Sequence, residues 1–189
     1  MNNQYDSNNN INQNFRLSIV FWPIICLLGI IGAQETISPA HPRDSLLTAA
    51  RELMEAAQYC ALITLDDTGH PQARTMFPFP PEDNMVVWFG TNVNSRKVKE
   101  ISHDPRVTLY YEAPRGNGYV TIRGRAELTN DPAEKANHFM TSWEEFYPDR
   151  SMFIPFKVIP ERLEIVSYPH QIIGDTLTWA APDVTFPTK

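Results

Sequence analysis

Val120-Thr121-Ile122-Arg123-Gly124-Arg125-Ala126-Glu127-Leu128 alternates apolar and polar residues over nine positions. A period of two puts 120, 122, 124, 126 and 128 on one face and the charged residues on the other. This is a long amphipathic strand with one wet face, as in antiparallel sheets. Upstream, Val107, Leu109 and Tyr111 alternate with Thr108 and Tyr110 as a second such strand. Pro114-Arg115-Gly116-Asn117-Gly118 joins the two as a turn. Downstream, Asp131-Pro132-Ala133-Glu134 supplies an N-cap, a proline at the first helical position and a glutamate at the third. The helix it opens is predicted to run to about His138. Strand character returns from Phe153 to Ser167, interrupted near Pro160, and the tail from Tyr168 is rich in turns and aromatics.

The N-terminal half extends the same pattern. Apolar residues at 46, 47, 50, 53, 54 and 57 have helical spacing, so a helix over Ser45–Gln58 with Asp44 as N-cap is expected. Cys60–Leu65 and Gln72–Phe79 read as a hairpin closed by Asp66-Asp67-Thr68-Gly69. Pro80-Pro81-Glu82-Asp83-Asn84 is a turn, Met85–Phe89 a strand, and Ser95–Ser102 a short helix with Val98 and Ile101 as its apolar side. Short, evenly spaced strands interspersed with helices predict a closed or partly closed antiparallel barrel with helices at its edges.

Composition narrows the function. The 189 residues carry 16 Lys plus Arg and 22 Asp plus Glu, a net charge of −6. That excludes a general nucleic-acid binder, whose phosphate contacts need a basic surface. Two cysteines exclude a disulfide scaffold and the common zinc-finger spacings. The histidines at 41, 70, 103, 138 and 170 form no close metal-ligand pair. Cys60, between apolar residues, reads as a small core residue.

The first fourteen residues hold seven Asn and two Gln, a low-complexity stretch. Arg16 and the apolar run Leu17–Ile31 follow, ending at Gly32-Ala33. One positive charge, an apolar run and a small residue read as a secretory signal peptide cleaved after Ala33, giving a periplasmic or extracellular chain. The alternative is an uncleaved membrane anchor, since Phe15–Ala33 just reaches spanning length. Residues 1–33 are thus set apart from a single domain over 34–189.

One stretch carries chemistry: Phe89-Gly90-Thr91-Asn92-Val93-Asn94-Ser95-Arg96-Lys97. A strand ends, a polar loop follows and a helix begins at about Ser95. A helix start offers free N–H groups and a positive dipole end, and Ser95, Arg96 and Lys97 add a hydroxyl and two cations. That set suits a phosphate monoester; the same residues also read as a solvated basic face. Arg74, sharing a strand face with Gln72 and Met76, is either solvent-facing or a further cation for the same anion.

These motifs, in order, resemble the flavin-binding split-barrel family of pyridoxamine 5′-phosphate oxidase, in its general stress protein branch. The resemblance covers roughly 44–168. It rests on Gly-His-Pro-Gln-Ala-Arg (69–74), the 89–97 stretch, His103-Asp104-Pro105-Arg106-Val107, the 122–127 strand and Pro160-Glu161-Arg162-Leu163-Glu164. It implies a six-stranded antiparallel split β-barrel with flanking helices, a homodimer and an FMN in each interface cleft. Carried over by position, Arg74, Thr75 and Met76 line the isoalloxazine and ribityl chain. Thr91 and Asn92 contact flavin or ribityl oxygens, and Ser95, Arg96 and Lys97 hold the phosphate. Some relatives of this fold take haem or a deazaflavin instead. An oxidoreductase acting on a small-molecule redox substrate is therefore expected, with a non-catalytic flavin- or haem-binding module as the alternative.

The oxidase's C-terminal Arg- and His-containing substrate motif has no counterpart in Thr176-Leu177-Thr178-Trp179-Ala180-Ala181-Pro182, which argues against vitamin B6 oxidation. Phe77 stands where the family often has an aliphatic residue. Trp143, Tyr147, Tyr168 and Trp179 read as core or dimer packing, or as stacking partners of a flavin. The tail from Tyr168 to Phe186 is the segment expected to cross onto the other subunit.

Overall fold

The computed structural model describes residues 41–187. The low-complexity stretch, the apolar run and the boundary at 33/34 lie outside the described residues. The elements are α1 (Arg43–Ala57), β1 (Cys60–Leu65), β2 (Pro71–Met76), β3 (Val87–Asn92), α2 (Arg96–His103), β4 (Arg106–Glu112), β5 (Gly118–Leu128), α3 (Pro132–Asn137), β6 (Phe153–Ser167) and β7 (Asp183–Thr185). Six strands pair antiparallel in the order β2-β1-β4-β5-β6-β3 and curl into a half-barrel, with β7 added on β6. This is the expected split barrel with flanking helices.

The alternation read from 120–128 is the burial pattern of β5: Val120, Ile122 and Ala126 are buried, while Arg123, Arg125 and Glu127 are exposed. β5 pairs with β4 on one side and β6 on the other. The interruption expected near Pro160 is a shift of register. Arg123 faces Arg162 but Gly124 faces Pro160, so β6 carries one extra residue there. Gly124 is required at that step, because a Cβ would lie 2.1 Å from the Ile159 carbonyl oxygen.

The hairpin between β1 and β2 turns on Asp66. Its carboxylate accepts hydrogen bonds from the backbone N–H groups of Thr68 and His70, the Thr68 hydroxyl and the Gln72 amide. These hold the Asp66 carboxyl well below its ordinary range. Gly69 closes the turn at φ +81°, where a side chain would be strained.

Several boundaries differ from expectation. α1 starts two residues early, with Pro42 at the cap and Asp44 in its first turn. β2 stops at Met76, because Pro78, Pro80 and Pro81 have no N–H to continue a ladder. β3 starts at Val87 rather than Met85, since Met85 sits at φ +63° in a turn where the Asn84 side chain accepts from the Val86 N–H. It then runs on to Asn92, so Thr91 and Asn92 belong to the strand and not to a loop. α2 buries Glu100 and Ile101, with Val98 only half-buried.

α1 packs its Leu46, Ala50, Leu53 and Met54 face on β4, β5 and β6. The core they share includes Leu62, Phe89, Leu109, Ile122, Phe156, Leu163 and Ile165. Each such fully buried side chain contributes about 1.5–3 kcal/mol. Cys60 lies in this core, as expected, and burial pushes its thiol up to about 12. In folded protein at pH 8 the Cys60 thiolate is therefore scarce. Iodoacetamide is expected to leave the Cys60 peptide unmodified until denaturant is added, as read by mass spectrometry; rapid labelling of native protein would contradict this burial.

Candidate functional site

β2 and β3 are the two free edges of the half-barrel, although they are consecutive in the chain. α2 follows β3 and packs on β1 and β5. Its side chains reach both edges. Toward β3, the Lys97 ammonium donates to Thr91 Oγ1 at 3.0 Å, and Thr91 Oγ1 lies 3.3 Å from Ser95 Oγ. Toward β1 and β2, Glu100 accepts from the Thr64 hydroxyl and from Arg74 Nη2, the latter at 2.6 Å. Arg74 Nη1 donates to the same Thr64 hydroxyl, which completes a closed triangle. Arg96 Nε is 2.8 Å from the other Glu100 oxygen, Oε1. That contact is an ion pair by distance only, and Oε1 accepts no hydrogen bond among the described residues.

Local sequence explains the arrangement. Asn92 shapes the turn into α2: its side-chain oxygen accepts from the Asn94 N–H and its carbonyl from the Ser95 N–H. Ser95 takes the N-cap position with extended backbone, but its hydroxyl caps no N–H. The first N–H groups of α2 have no partner inside the helix, and the positive dipole end points the same way. Arg96 and Lys97 follow at the first two helical positions.

The electrostatics are lopsided. Arg74, Arg96 and Lys97 surround one carboxylate, Glu100, whose side chain is 4% exposed. Burial, and then the nearby Arg74, lower the Lys97 pKa, with Glu100 opposing. A group of three cations against one anion is short of negative charge. Hydroxyls from Thr91 and Ser95, the uncapped helix start and the exposed Arg96 are the donors a phosphate dianion requires. The residues present therefore fit a phosphate-bearing group.

Of the eight expected site residues, five come together: Arg74, Thr91, Ser95, Arg96 and Lys97. Met76 shares the half-buried face of β2 with Arg74 and packs on the core. Thr75 points to the opposite, exposed face, and Asn92 is engaged in its turn. The sequence reading missed Glu100 and Thr64. The signals were the i, i+4 spacing of Arg96 and Glu100 and the inward alternation of Cys60, Leu62 and Thr64.

Clefts elsewhere do not overlap the cluster. One of about 590 Å³ includes Glu82, Trp88, Arg125 and Lys157, and another of about 540 Å³ includes Met54, Phe77, Phe79 and Met140. Trp143 and Tyr147 pack with Phe139 and Phe153 in one aromatic group. Tyr168 and Trp179, by contrast, are 60% and 81% exposed on the single chain.

Residues 47–152 match the family described as pyridoxamine 5′-phosphate oxidase like. A pyridoxine/pyridoxamine 5′-phosphate oxidase of Burkholderia mallei (strain SAVP1) is 31% identical over 81 residues, which is 43% of this chain and 36% of that protein. The chain thus spans about a third of the length of the curated relatives it matches. General stress protein 26 of Bacillus anthracis str. Sterne superimposes with a TM-score of 0.56 at 18% identity, covering 64% of this chain and 93% of that one. A protein related to general stress protein 26 from Clostridium acetobutylicum gives 0.60 at 19% identity, covering 67% and 92%. A heme-binding protein from Mycobacterium smegmatis gives 0.54 at 21%, covering 67% and 55%. At these identities the structural likeness is one of fold.

Proposed function

The chain belongs to the pyridoxamine 5′-phosphate oxidase-like family, and from that premise we propose that it binds FMN at the α2 cluster and works as an oxidoreductase. The family is typically flavin-binding. The observation that carries the reading is the convergence of Thr91, Ser95, Arg96 and Lys97 at the uncapped start of α2. Arg96, Lys97 and the two hydroxyls would hold the phosphate of FMN. Arg74 has both terminal nitrogens committed to Thr64 and Glu100, so it is a fixed positive charge in the cluster. Met76, which shares the Arg74 face of β2, and Asn92 are proposed to line the ribityl chain and ring. FMN, when bound, supplies the redox chemistry; the protein binds it, orients it and sets the charge around it.

The substrate is proposed to differ from the phosphorylated vitamin B6 compounds, because the tail over 176–182 offers no Arg or His to grip a second phosphate. A homodimer is proposed to cover the site. Tyr59, Phe77 and Tyr110 are each more than a third exposed on the single chain, apolar area that a second copy would bury. The N-terminal segment is proposed to direct export.

The test is a titration of the protein with FMN and with riboflavin, followed by flavin fluorescence, with size exclusion on the same sample. Saturable binding of one FMN per chain in a dimer is expected, with riboflavin at least tenfold weaker, about 1.4 kcal/mol. Equal affinities would remove the phosphate from the reading. A haem spectrum with no flavin binding would favour the haem-binding alternative.

A further inference from the structure

Glu100 has no place in the flavin reading as it stands, since a carboxylate inside an anion site opposes the anion. It is buried, and it sits on the same helix as Arg96 and Lys97. Its two oxygens are treated differently. Oε2 is fully engaged, accepting from Thr64 and Arg74. Oε1 meets Arg96 Nε at 2.8 Å without hydrogen-bond geometry. Arg74 is 17% exposed and locked in place, whereas Arg96 is 67% exposed and held by charge alone.

We propose that Glu100 is an internal competitor for the bound anion, an affinity-setting residue that occupies Arg96 until a phosphate takes it over. The inference rests on the phosphate site proposed above. Oε2 anchors the carboxylate through β1 and β2, so Glu100 cannot follow Arg96 outward. The loose Oε1 contact is the one that yields. A ligand phosphate therefore binds by exchange: Arg96 leaves a carboxylate as it gains a phosphate oxygen. The exchange lowers the net gain, and the repulsion between Glu100 and the ligand lowers it further. The site is thereby weaker than its three cations alone would make it.

The experiment compares the full chain with Glu100→Gln, using FMN, riboflavin and inorganic phosphate as probes in calorimetric titrations. Gln is isosteric and keeps one oxygen to accept from Arg74 or Thr64. FMN is expected to bind about three- to tenfold more tightly to the variant, inorganic phosphate also more tightly, and riboflavin unchanged. A structural role alone would not produce a gain that depends on ligand charge. In an Arg96→Ala background the gain from Glu100→Gln is expected to shrink, because the exchange is gone. Should the Gln variant fail to fold, Glu100→Asp withdraws the carboxylate by one methylene and is expected to give a smaller gain of the same sign. Unchanged or weaker FMN binding in a folded variant overturns the proposal while leaving the phosphate site standing. An equal change for riboflavin also overturns it. Failure of the native chain to bind either phosphate probe overturns the site and this proposal together.

Discussion

Changing Arg96 and Lys97 together to Ala is expected to weaken FMN binding at least tenfold, about 1.4 kcal/mol. Each cation would make a charge-assisted contact worth about 1.5–3 kcal/mol, so a larger loss is within reach. The fold has little stake in either side chain. Arg96 is largely exposed, and its departure leaves Glu100 still paired to Arg74 and Thr64. Lys97 contributes a single hydrogen bond to Thr91. Circular dichroism and melting temperature should therefore stay near those of the native chain. Riboflavin, which lacks the phosphate, should lose nothing. A folded double variant that binds FMN as well as the native chain would sink the assignment of the phosphate to α2.

The second large effect is on stability. Gly124→Val is expected to destabilise the chain by on the order of 3 kcal/mol, the upper end for overpacking. The new Cβ would meet the Ile159 carbonyl oxygen at 2.1 Å and the Pro160 Cα at 3.1 Å. Both are backbone atoms of the paired strand, so no rotamer change relieves the clash. β5 and β6 would have to separate at the register shift, and they are the two longest strands of the sheet, paired over the whole length of β5. The melting temperature should fall by roughly 6–12 °C, read by calorimetry. A fall of under a degree would mean that the bulge adjusts freely and that the close approach is unimportant.

The sequence made the local pattern legible and left the long-range pairing hidden. β5 could be read from Val120 to Leu128 because one face is buried and the other wet, so a period of two survives in the residues. The start of α3 was equally plain, since Asp131 caps Ala133 as its type and position suggest. β3 was harder. Met85 and Val86 are as buried as a strand, yet Met85 closes a turn on Glu82 and β3 begins only after them; burial alone does not distinguish the two. That β3 pairs with β6 instead of its neighbour β2 depends on contacts distant in the chain, from Asn92 with Phe153 to Val87 with Val158, which no local pattern records. In the site, Arg96 and Lys97 stood out because cations at a helix start have few structural uses. Glu100 was overlooked because a carboxylate one turn later looks like solvated helix surface. Only the fold shows that β1 and β2 close over it.

A half-barrel left open has a cost that this chain manages in its sequence. An unpaired strand edge is a template for aggregation, since any extended segment can add to it. β2 is such an edge, and it is kept to six residues between prolines. Pro71 begins it, and Pro78, Pro80 and Pro81 follow its end. A foreign strand laid along β2 would run out of amide donors at both ends. The proline-rich segment also doubles back, and the Phe79 N–H bonds to the Trp88 carbonyl on the other edge strand. Copies of this protein are thus steered away from edge-to-edge growth into fibres.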